Sequence, residues 1–232
     1  MATKRSKTDV NNDEAVVNKC LATKNKKQQK SIESKIRIIE AAKAEFTSHG
    51  FDAARIDEIA KRAEVNKQLI YYYFESKDNL FTEVLKESYI NLRKAEVIED
   101  LDSLSAYEAI MRLVELDWNF YTAHPELIFM LASENLQDGI HIENKKETFW
   151  EINKVWGETT AKIFEKNKVC KTIRDDLDPM QLNITIASLV IFYIMNIKTL
   201  SLSFDVNLNT QEKLDTRLSV IKEIVGTWIK PR

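Results

Sequence analysis

The residues with the clearest chemical potential lie in the segment 55–77, which reads RIDEIAKRAEVNKQLIYYYFESK. Lys67 and Gln68 begin a short helical pattern that Asn66 can cap. Because successive residues of a helix point about 100° apart, the three consecutive tyrosines that follow cannot all be buried. An exposed glutamine can form two hydrogen bonds with adenine, and lysine and tyrosine can donate to phosphate. Side chains of these types suit a helix that enters the major groove of DNA.

Two short helices and the turn between them must hold these side chains. The apolar spacing predicts a first helix over 56–63 and a second over 66–74, joined at Ala63, Glu64 and Val65. An alanine in the middle of the first helix allows the two helices to approach closely. The predicted unit is a helix-turn-helix.

The remaining chain is also predicted to be helical. An apolar stripe at three- and four-residue steps predicts a helix that begins near Ser31 and ends at Gly50, where a left-handed cap is expected. Six longer helices are predicted after residue 76, one of which Ser105 and Glu108 begin as a capping box. Turns are scarce, because only 4 glycines and 3 prolines occur in 232 residues. We therefore predict an all-α protein of about nine helices.

Charge and cysteine content exclude several classes of protein. The 34 lysines and arginines nearly balance the 36 aspartates and glutamates, so only a local patch can attract nucleic acid. The longest uninterrupted apolar run, 189–195, is much shorter than the roughly 20 residues of a membrane helix. No signal sequence is visible, and Cys20 and Cys170 form neither a disulfide framework nor a metal quartet. We expect a cytoplasmic protein.

The first 30 residues differ in composition from the rest. They hold eight lysines and arginines against three acidic residues, a net charge of +5, and no aromatic residue. Such a segment cannot bury enough apolar surface to fold alone, so we predict a disordered basic tail over 1–30. It is either a flexible arm that reaches the minor groove or a solvated tail without function.

Deleting residues 1–30 is expected to flatten the plot of log DNA affinity against log salt concentration. Each phosphate contact that the basic tail makes releases counterions and so adds to that slope. Fluorescence anisotropy at several salt concentrations measures it for the full and the shortened chain. An unchanged slope would mean that the tail does not contact DNA.

The segment 41–81, AAKAEFTSHGFDAARIDEIAKRAEVNKQLIYYYFESKDNLF, resembles the DNA-binding domain of the TetR family of bacterial repressors. The residues at the family's spacing are Phe46, Gly50, Phe51, Ile59, Ala60, Ala63, Val65, Tyr71, Phe74, Lys77 and Leu80. The resemblance implies a three-helix DNA-binding domain, which we place at 31–78. A fourth helix would join it to a larger ligand-binding and dimerisation domain at 79–232.

The resemblance also implies which positions contact DNA. They are Arg55, Asn66, Lys67, Gln68, Leu69, Tyr71, Tyr72, Tyr73 and Lys77. Positions 67, 68, 69 and 72 would face bases, and positions 71, 73 and 77 would lie near phosphate. Two positions depart from the family pattern: Glu64 stands where the turn usually has glycine, and Arg55, which could offer a phosphate contact, stands where the cap is usually Ser or Thr. For Tyr71 and Tyr73 the alternative is packing against the helix predicted between Ser31 and Gly50.

The segment 121–142 is similar to the ligand domain of a TetR subset near the repressors that sense pyrimidine bases. Residues of the types found on pocket walls are Trp118, Tyr121, Met130, Glu134, Asn135, Trp150 and Trp156. Each can instead be an ordinary core residue, and Glu134 and Asn135 can belong to a solvated face. No histidine pair has metal-ligand spacing on one helix face, and no nucleophile–base motif occurs. We predict no metal, no cofactor and no catalytic residue, but an unidentified small-molecule effector.

The resemblance as a whole implies a ligand-responsive transcriptional regulator. We expect a repressor that binds a near-palindromic double-stranded operator as a homodimer and that a small-molecule effector releases. The last two helices are expected to form the dimer interface, since 184–202 is apolar on nearly all sides. Two alternatives stay open: an activator or effector-independent regulator of the same fold, and an enzyme that reuses the fold.

Overall fold

The structure of the chain, a computed structural model, describes residues 7–97 and 101–231, and the side chains from residue 28 onward. Every regular element in these residues is an α-helix, as the composition predicts. The helices are α1 Lys7–Ala53, α2 Ile56–Arg62, α3 Lys67–Phe74, α4 Lys77–Ala95, α5 Ala106–Ala123, α6 Glu126–Leu136, α7 Ile140–Glu143, α8 Lys146–Cys170, α9 Pro179–Ser203 and α10 Gln211–Ile229.

The described residues contain one helix more than the nine predicted. The apolar spacing predicts a single helix over 142–168 after Gly139, but the structure has two helices, α7 and α8, in this part of the chain. The short α7 begins after Gly139, whose φ of 73° lies in the left-handed region that glycine adopts without strain. Lys145 then breaks the helical path with a φ of −130°, and α8 follows. The buried carboxylate of Glu134 accepts hydrogen bonds from backbone N–H groups of α7 and so holds it as a separate element.

The first helix is longer than the sequence predicts. The structure describes α1 from Lys7, whereas we predict disorder over 1–30; residues 1–6 lie outside the described residues. The segment has too few apolar residues to form a core of its own, but a helix does not require such a core. The segment contains neither glycine nor proline, so a helix that a folded neighbour has nucleated can extend along it. At its other end α1 is interrupted at Gly50, with a φ of 70°.

Two hydrophobic cores form in the described part of the chain, and α4 contributes to both. The first core lies among α1, α2, α3 and the beginning of α4, around Phe46, Ile59 and Phe81, and it receives Met130 from α6. The second core lies among α5, α8, α9 and α10 and includes Leu92 from the last turns of α4. The predicted division at residue 78 falls at the start of this shared helix and stays a prediction.

Candidate nucleic-acid interface

The helix-turn-helix consists of α2, α3 and the tight turn between them. Asn66 caps α3, because its Oδ1 accepts a hydrogen bond from the backbone N–H of Leu69 at 2.7 Å. In the turn, the N–H of Val65 donates to the carbonyl of Ala60 at 3.0 Å. Glu64, where the TetR pattern usually has glycine, has a φ of 54°. The turn therefore keeps its left-handed residue although a side chain makes that conformation costly.

Replacing Glu64 with glycine is expected to raise the free energy of unfolding by about 1 kcal/mol, because glycine has no Cβ to strain at this φ. Urea denaturation followed by circular dichroism measures the change. The matched control is Glu58→Gly, which lies inside α2 and should lose about 1 kcal/mol from poorer helix propensity. If Glu64→Gly lowers the free energy of unfolding as much as Glu58→Gly does, the backbone at Glu64 is not strained.

One face of α3 carries four exposed side chains, which we call the reading surface: Lys67, Gln68, Tyr71 and Tyr72. Gln68, Tyr71 and Tyr72 follow Lys67 by one, four and five residues, which places all four on one side of the helix. Tyr72 is 78% exposed and Tyr71 is 42% exposed, while the opposite side of α3 is buried in the first core. An ammonium, an amide and two phenol groups thus face solvent, and each can donate or accept hydrogen bonds in a DNA groove.

Two other predicted contacts of α3, Leu69 and Tyr73, are only partly exposed. The Tyr73 hydroxyl donates to Oγ of Ser31 on α1 at 2.9 Å, and the ammonium of Lys35 lies 5.0 Å from its ring centroid. Tyr73 therefore packs against α1, which was the alternative left open for it. Nothing in three consecutive tyrosines distinguishes the one that faces α1, because that depends on where α1 lies.

Two lysines that are predicted to contact DNA, Lys67 and Lys77, interact with neighbouring residues. Nζ of Lys67 lies 2.9 Å from Oδ1 of Asp57 on α2, and this hydrogen bond raises the pKa of Lys67. Such an exposed pair adds little stability, so Lys67 can exchange Asp57 for a DNA group. Nζ of Lys77 donates to the carbonyl of Asp52 at 3.1 Å and lies 4.8 Å from the Phe51 ring centroid. Burial lowers the pKa of Lys77.

Arg55 precedes α2 and does not cap it with its side chain. Its backbone N–H donates to Oε1 of the buried Glu45 on α1 at 3.2 Å. A carboxylate from α1 thus secures the start of α2 where the TetR pattern usually has a Ser or Thr cap. The Arg55 residue itself is exposed, and its guanidinium is free to approach phosphate.

The junction between α1 and α2 is fastened to the end of α6. The N–H of Phe51 donates to Oγ of Ser133 at 2.8 Å, and Nε2 of Gln137 donates to Oδ2 of Asp52 at 2.7 Å. Phe51 and Asp52 are also the residues that hold Lys77 at the start of α4. A displacement of α6 therefore reaches both ends of the helix-turn-helix.

A buried ionisable pair lies beside these bonds. Oε2 of Glu134 lies 2.7 Å from Nδ1 of His141, and Oε1 accepts the backbone N–H groups of His141 and Ile142 at 2.9 and 3.0 Å. The His141 ring packs against Phe51 and Phe81, with centroids 4.5 and 4.8 Å apart. The imidazole of His141, which belongs to α7 and is hydrogen-bonded to Glu134 of α6, thus packs against the first core. We call Ser133, Glu134, Gln137 and His141 the clamp.

Comparisons with known proteins agree with this architecture. The family model described as "Bacterial regulatory proteins, tetR family" matches residues 38–84, and "Tetracyclin repressor-like, C-terminal domain" matches residues 107–225. The HTH-type transcriptional repressor NicS of Pseudomonas putida is 32% identical over 199 residues, which cover 84% of this chain and 92% of that protein. The chain belongs to the TetR family.

Other TetR proteins are similar over part or all of the chain. The HTH-type transcriptional repressor SCO4008 of Streptomyces coelicolor is 42% identical over 106 residues, 46% of this chain and 52% of that protein. A TetR family regulator from Marinobacter aquaeolei matches 88% of this chain and 100% of its own, with a TM-score of 0.66 and 14% identity. FadR of Bacillus subtilis, solved with stearoyl-CoA, matches 84% and 98%, with a TM-score of 0.60 and 19% identity. The two structures show a shared fold, and the family and its named repressors identify a DNA-binding transcriptional regulator, not an enzyme.

Among the cavities of the described residues, two of the seven residues predicted for the effector pocket of this TetR protein, Glu134 and Asn135, line the same one. Trp118 and Tyr121 are buried in the second core, and Met130 is buried in the first. Trp150 is 60% exposed, whereas Trp156 is half-buried on the same helix. Amphipathic spacing predicts which residues are buried, but not which of the two cores receives them.

Glu134 and Asn135 do line a cavity, which lies between α4, α6, α7 and α8 and has a volume of about 580 Å³. This volume is within the range of small-molecule sites. Asn135 is exposed and its Nδ2 donates to the carbonyl of Leu131 at 2.8 Å. Tyr89 of α4 forms another wall, and burial raises its pKa. The clamp residue Glu134 thus borders the space that a ligand could fill.

A second group of ionisable residues, not predicted from the sequence, lies in the ligand domain of this TetR protein: Glu96 and Asp117 are buried, and Arg93 beside them is partly buried. A usable signal existed for Asp117. It lies four residues after Leu113 and four before Tyr121, both of which are buried on α5. A carboxylate in register with an apolar stripe is unusual.

Proposed function

We propose that this TetR protein is a repressor that binds a near-palindromic operator as a homodimer and releases it when a small-molecule effector binds. The observation that carries DNA binding is the reading surface on α3, held by a capped helix-turn-helix. In a dimer, two reading surfaces would enter successive major grooves about 34 Å apart. The names of the relatives NicS and SCO4008 support repression, and we place this activity in the cytoplasm.

Homodimerisation is supported by apolar side chains that α9 leaves uncovered. Its inner side packs against α5 and α10, whereas Ile184, Phe192, Met195 and Leu202 are each more than 40% exposed. By length and composition alone α9 could cross a membrane, but core helices of soluble proteins pass the same test. An apolar stripe on α9 beside α10 suits a four-helix interface about a two-fold axis.

Replacing Phe192 with aspartate is expected to convert the dimer into monomers, because the interface would bury an unpaired charge on each subunit. Size-exclusion chromatography with light scattering measures the mass of the variant and of the control Phe192→Leu, which should stay dimeric. Since Phe192 is exposed in the single chain, circular dichroism should show an unchanged fold. A dimeric aspartate variant would place the interface elsewhere.

Release by an effector requires a connection between the two cores, and α4 and the clamp can provide it. The 19 residues of α4 extend about 28 Å, from the end of the helix-turn-helix to the second core. An effector that binds a shifted arrangement of α4 more tightly would draw the population away from the DNA-bound state. Couplings of this kind are typically about 1–3 kcal/mol, or roughly 5- to 150-fold in affinity. The relation to pyrimidine-sensing repressors stays a prediction.

Footprinting on the DNA upstream of its own gene, at near-physiological salt, tests the proposed function. We expect a protected, near-palindromic site, and its position relative to the promoter distinguishes repression from activation. That site then serves as the probe for every affinity measurement. Protection no stronger than on unrelated DNA would contradict specific recognition at this locus.

A further inference from the structure

The ring of His141 is almost completely buried and uses one of its two nitrogens. The side chain is 3% exposed, and Nδ1 lies 2.7 Å from Oε2 of Glu134. Because a carboxylate only accepts hydrogen bonds, this contact places a proton on Nδ1. Among the described residues, Nε2 on the other side of the ring makes no hydrogen bond. A buried polar atom in this state is costly and rare.

The second nitrogen faces Asp78 in the first turn of α4. Nε2 of His141 lies 3.6 Å from Oδ1 of Asp78. In the neutral ring Nε2 carries a lone pair, so two hydrogen-bond acceptors face each other. When Nε2 carries a proton, the same two atoms become a donor and an acceptor of opposite charge. We call Glu134, His141 and Asp78 the bridge, whose contact with Asp78 requires a proton.

The bridge connects three helices around the start of α4. Glu134 belongs to α6, His141 to α7 and Asp78 to α4. Because the ring packs against Phe51 and Phe81, it cannot turn toward another partner without disturbing the first core. The Asp78 side chain is 67% exposed, so protons can reach Nε2 from that side.

The charged side chains around the ring come from the elements packed against it. Among the described residues, Glu134 and Asp78 are the acidic side chains within 4 Å of a ring nitrogen. The others in its surroundings are Lys77 at the start of α4, Asp52 at the end of α1, Glu143 of α7 and Lys146 of α8. Both groups in contact with the ring nitrogens are therefore negative, and a charged imidazole can pair with both.

We propose that the bridge makes operator binding depend on pH, because protonation of His141 ties the start of α4 to α6 and α7 and strengthens DNA binding. This inference rests on the proposed DNA-binding function. Histidine is the side chain that changes its charge between about pH 5 and 8. With a proton on Nε2, His141 donates to Glu134 and Asp78 at once. Without that proton, the bond to Glu134 is the one that stays.

Two effects of the proton act in the same direction on operator affinity. The new bond to Asp78 fixes the start of α4, the helix that follows the helix-turn-helix directly. The proton also compensates the negative charge of Asp78, the neighbour of Lys77, which is predicted to approach phosphate. A less negative surface beside the DNA backbone favours binding. Lowering the pH should therefore strengthen operator binding, and raising it should weaken operator binding.

The test measures operator affinity as a function of pH at constant ionic strength. Fluorescence anisotropy with the footprinted site, between about pH 6 and about pH 8, covers the range in which histidine changes charge. We expect binding about fivefold tighter, or more, at the lower pH, which is the size of a modest coupling between two sites. Equal affinity across this range, or tighter binding at the higher pH, would overturn the proposal.

Two variants assign the pH dependence to the bridge. Asp78→Asn changes an exposed side chain and should leave the fold intact. The asparagine amide can donate to Nε2 of the neutral ring, so the connection no longer requires a proton. Its affinity at the higher pH should rise toward that of the unchanged protein at the lower pH, and its pH dependence should disappear. His141→Gln has no titrating ring, so its affinity should stay low at every pH.

Two controls exclude other origins of the effect. His49→Gln removes a histidine of α1 whose Nδ1 lies 3.4 Å from Oε1 of Glu45. Glu58→Gln removes an exposed carboxylate of α2 from the same DNA-binding domain. Both should keep the pH dependence of the unchanged protein. Loss of the pH dependence in His49→Gln, or its persistence in Asp78→Asn, would show that the bridge is not its origin.

A titration without DNA separates this inference from the proposed function. The chain contains three histidines, and the ring signal that disappears from the NMR spectrum of His141→Gln belongs to His141. In Asp78→Asn this ring should lose its proton at a lower pH, because a negative partner has been removed. An unchanged midpoint would overturn the bridge even if no operator were found. An intact footprint whose affinity does not change with pH would overturn the bridge alone and leave the repressor in place.

Discussion

Replacing Gln68 with alanine is expected to weaken operator binding by roughly 5- to 150-fold, which corresponds to about 1–3 kcal/mol. Gln68 is exposed on the reading surface beside Lys67 and Tyr72, and its amide can form two hydrogen bonds with an adenine edge. Losing a base contact should also relax sequence preference at one operator position. Fluorescence anisotropy with the footprinted site, and with variants of each base pair, measures both effects.

The control for this experiment is Gln211→Ala, an exposed glutamine at the start of α10, far along the chain from α3. It should bind the operator as the unchanged protein does. Both variants should keep the fold and the dimer, because neither side chain is buried. If Gln68→Ala binds as tightly as the control and keeps the same base preferences, Gln68 does not read a base.

Replacing Glu134 with alanine is expected to lower the free energy of unfolding by roughly 3–5 kcal/mol. The carboxylate accepts three hydrogen bonds, from the backbone of His141 and Ile142 and from the His141 ring. Without it these buried donors have lost their acceptor, and such a loss costs about 1–3 kcal/mol for each group. Urea denaturation measures the change, and Glu151→Ala, at an exposed position of α8, provides the matched control.

The same substitution should weaken operator binding even where the protein is folded, because the clamp holds the junction before α2. His141→Phe separates the two roles of this pair. Its ring can still pack against Phe51 and Phe81, but it cannot donate to Glu134, so stability should fall less than in Glu134→Ala. A Glu134→Ala protein as stable as Glu151→Ala would show that the pair is not a structural clamp.

The helix-turn-helix illustrates what local pattern can predict. Its two helices, the Asn66 cap and the left-handed turn at Glu64 follow from interactions within a few residues. The capping box of Ser105 and Glu108 is equally local, and the structure confirms it. The exposed side of α3 also follows, because burial of Ile70 and Phe74 decides where the other residues point.

The location of the candidate effector residues could not be predicted from helical spacing. The types expected on a pocket wall were identified, yet Met130 lies in the first core and Trp150 lies at the surface. Arg93, Glu96 and Asp117 were not singled out, since lysines, arginines and acids are common on helices and usually face solvent. Their burial depends on how α4 and α5 are packed, which no spacing within one helix specifies.

Four features could be predicted from the sequence alone, because each depends on periodicity or on neighbours within a turn or two. They are the helix content, the caps, the family and the exposed face of α3. Three features needed the tertiary structure: the contacts of Tyr73 with α1, the hydrogen bonds of the clamp to the end of α1, and the burial of Arg93, Glu96 and Asp117 together. Each joins residues that are distant in sequence, so it depends on how whole helices pack. That packing places two buried ionisable groups, His141 at one end of α4 and Glu96 at the other.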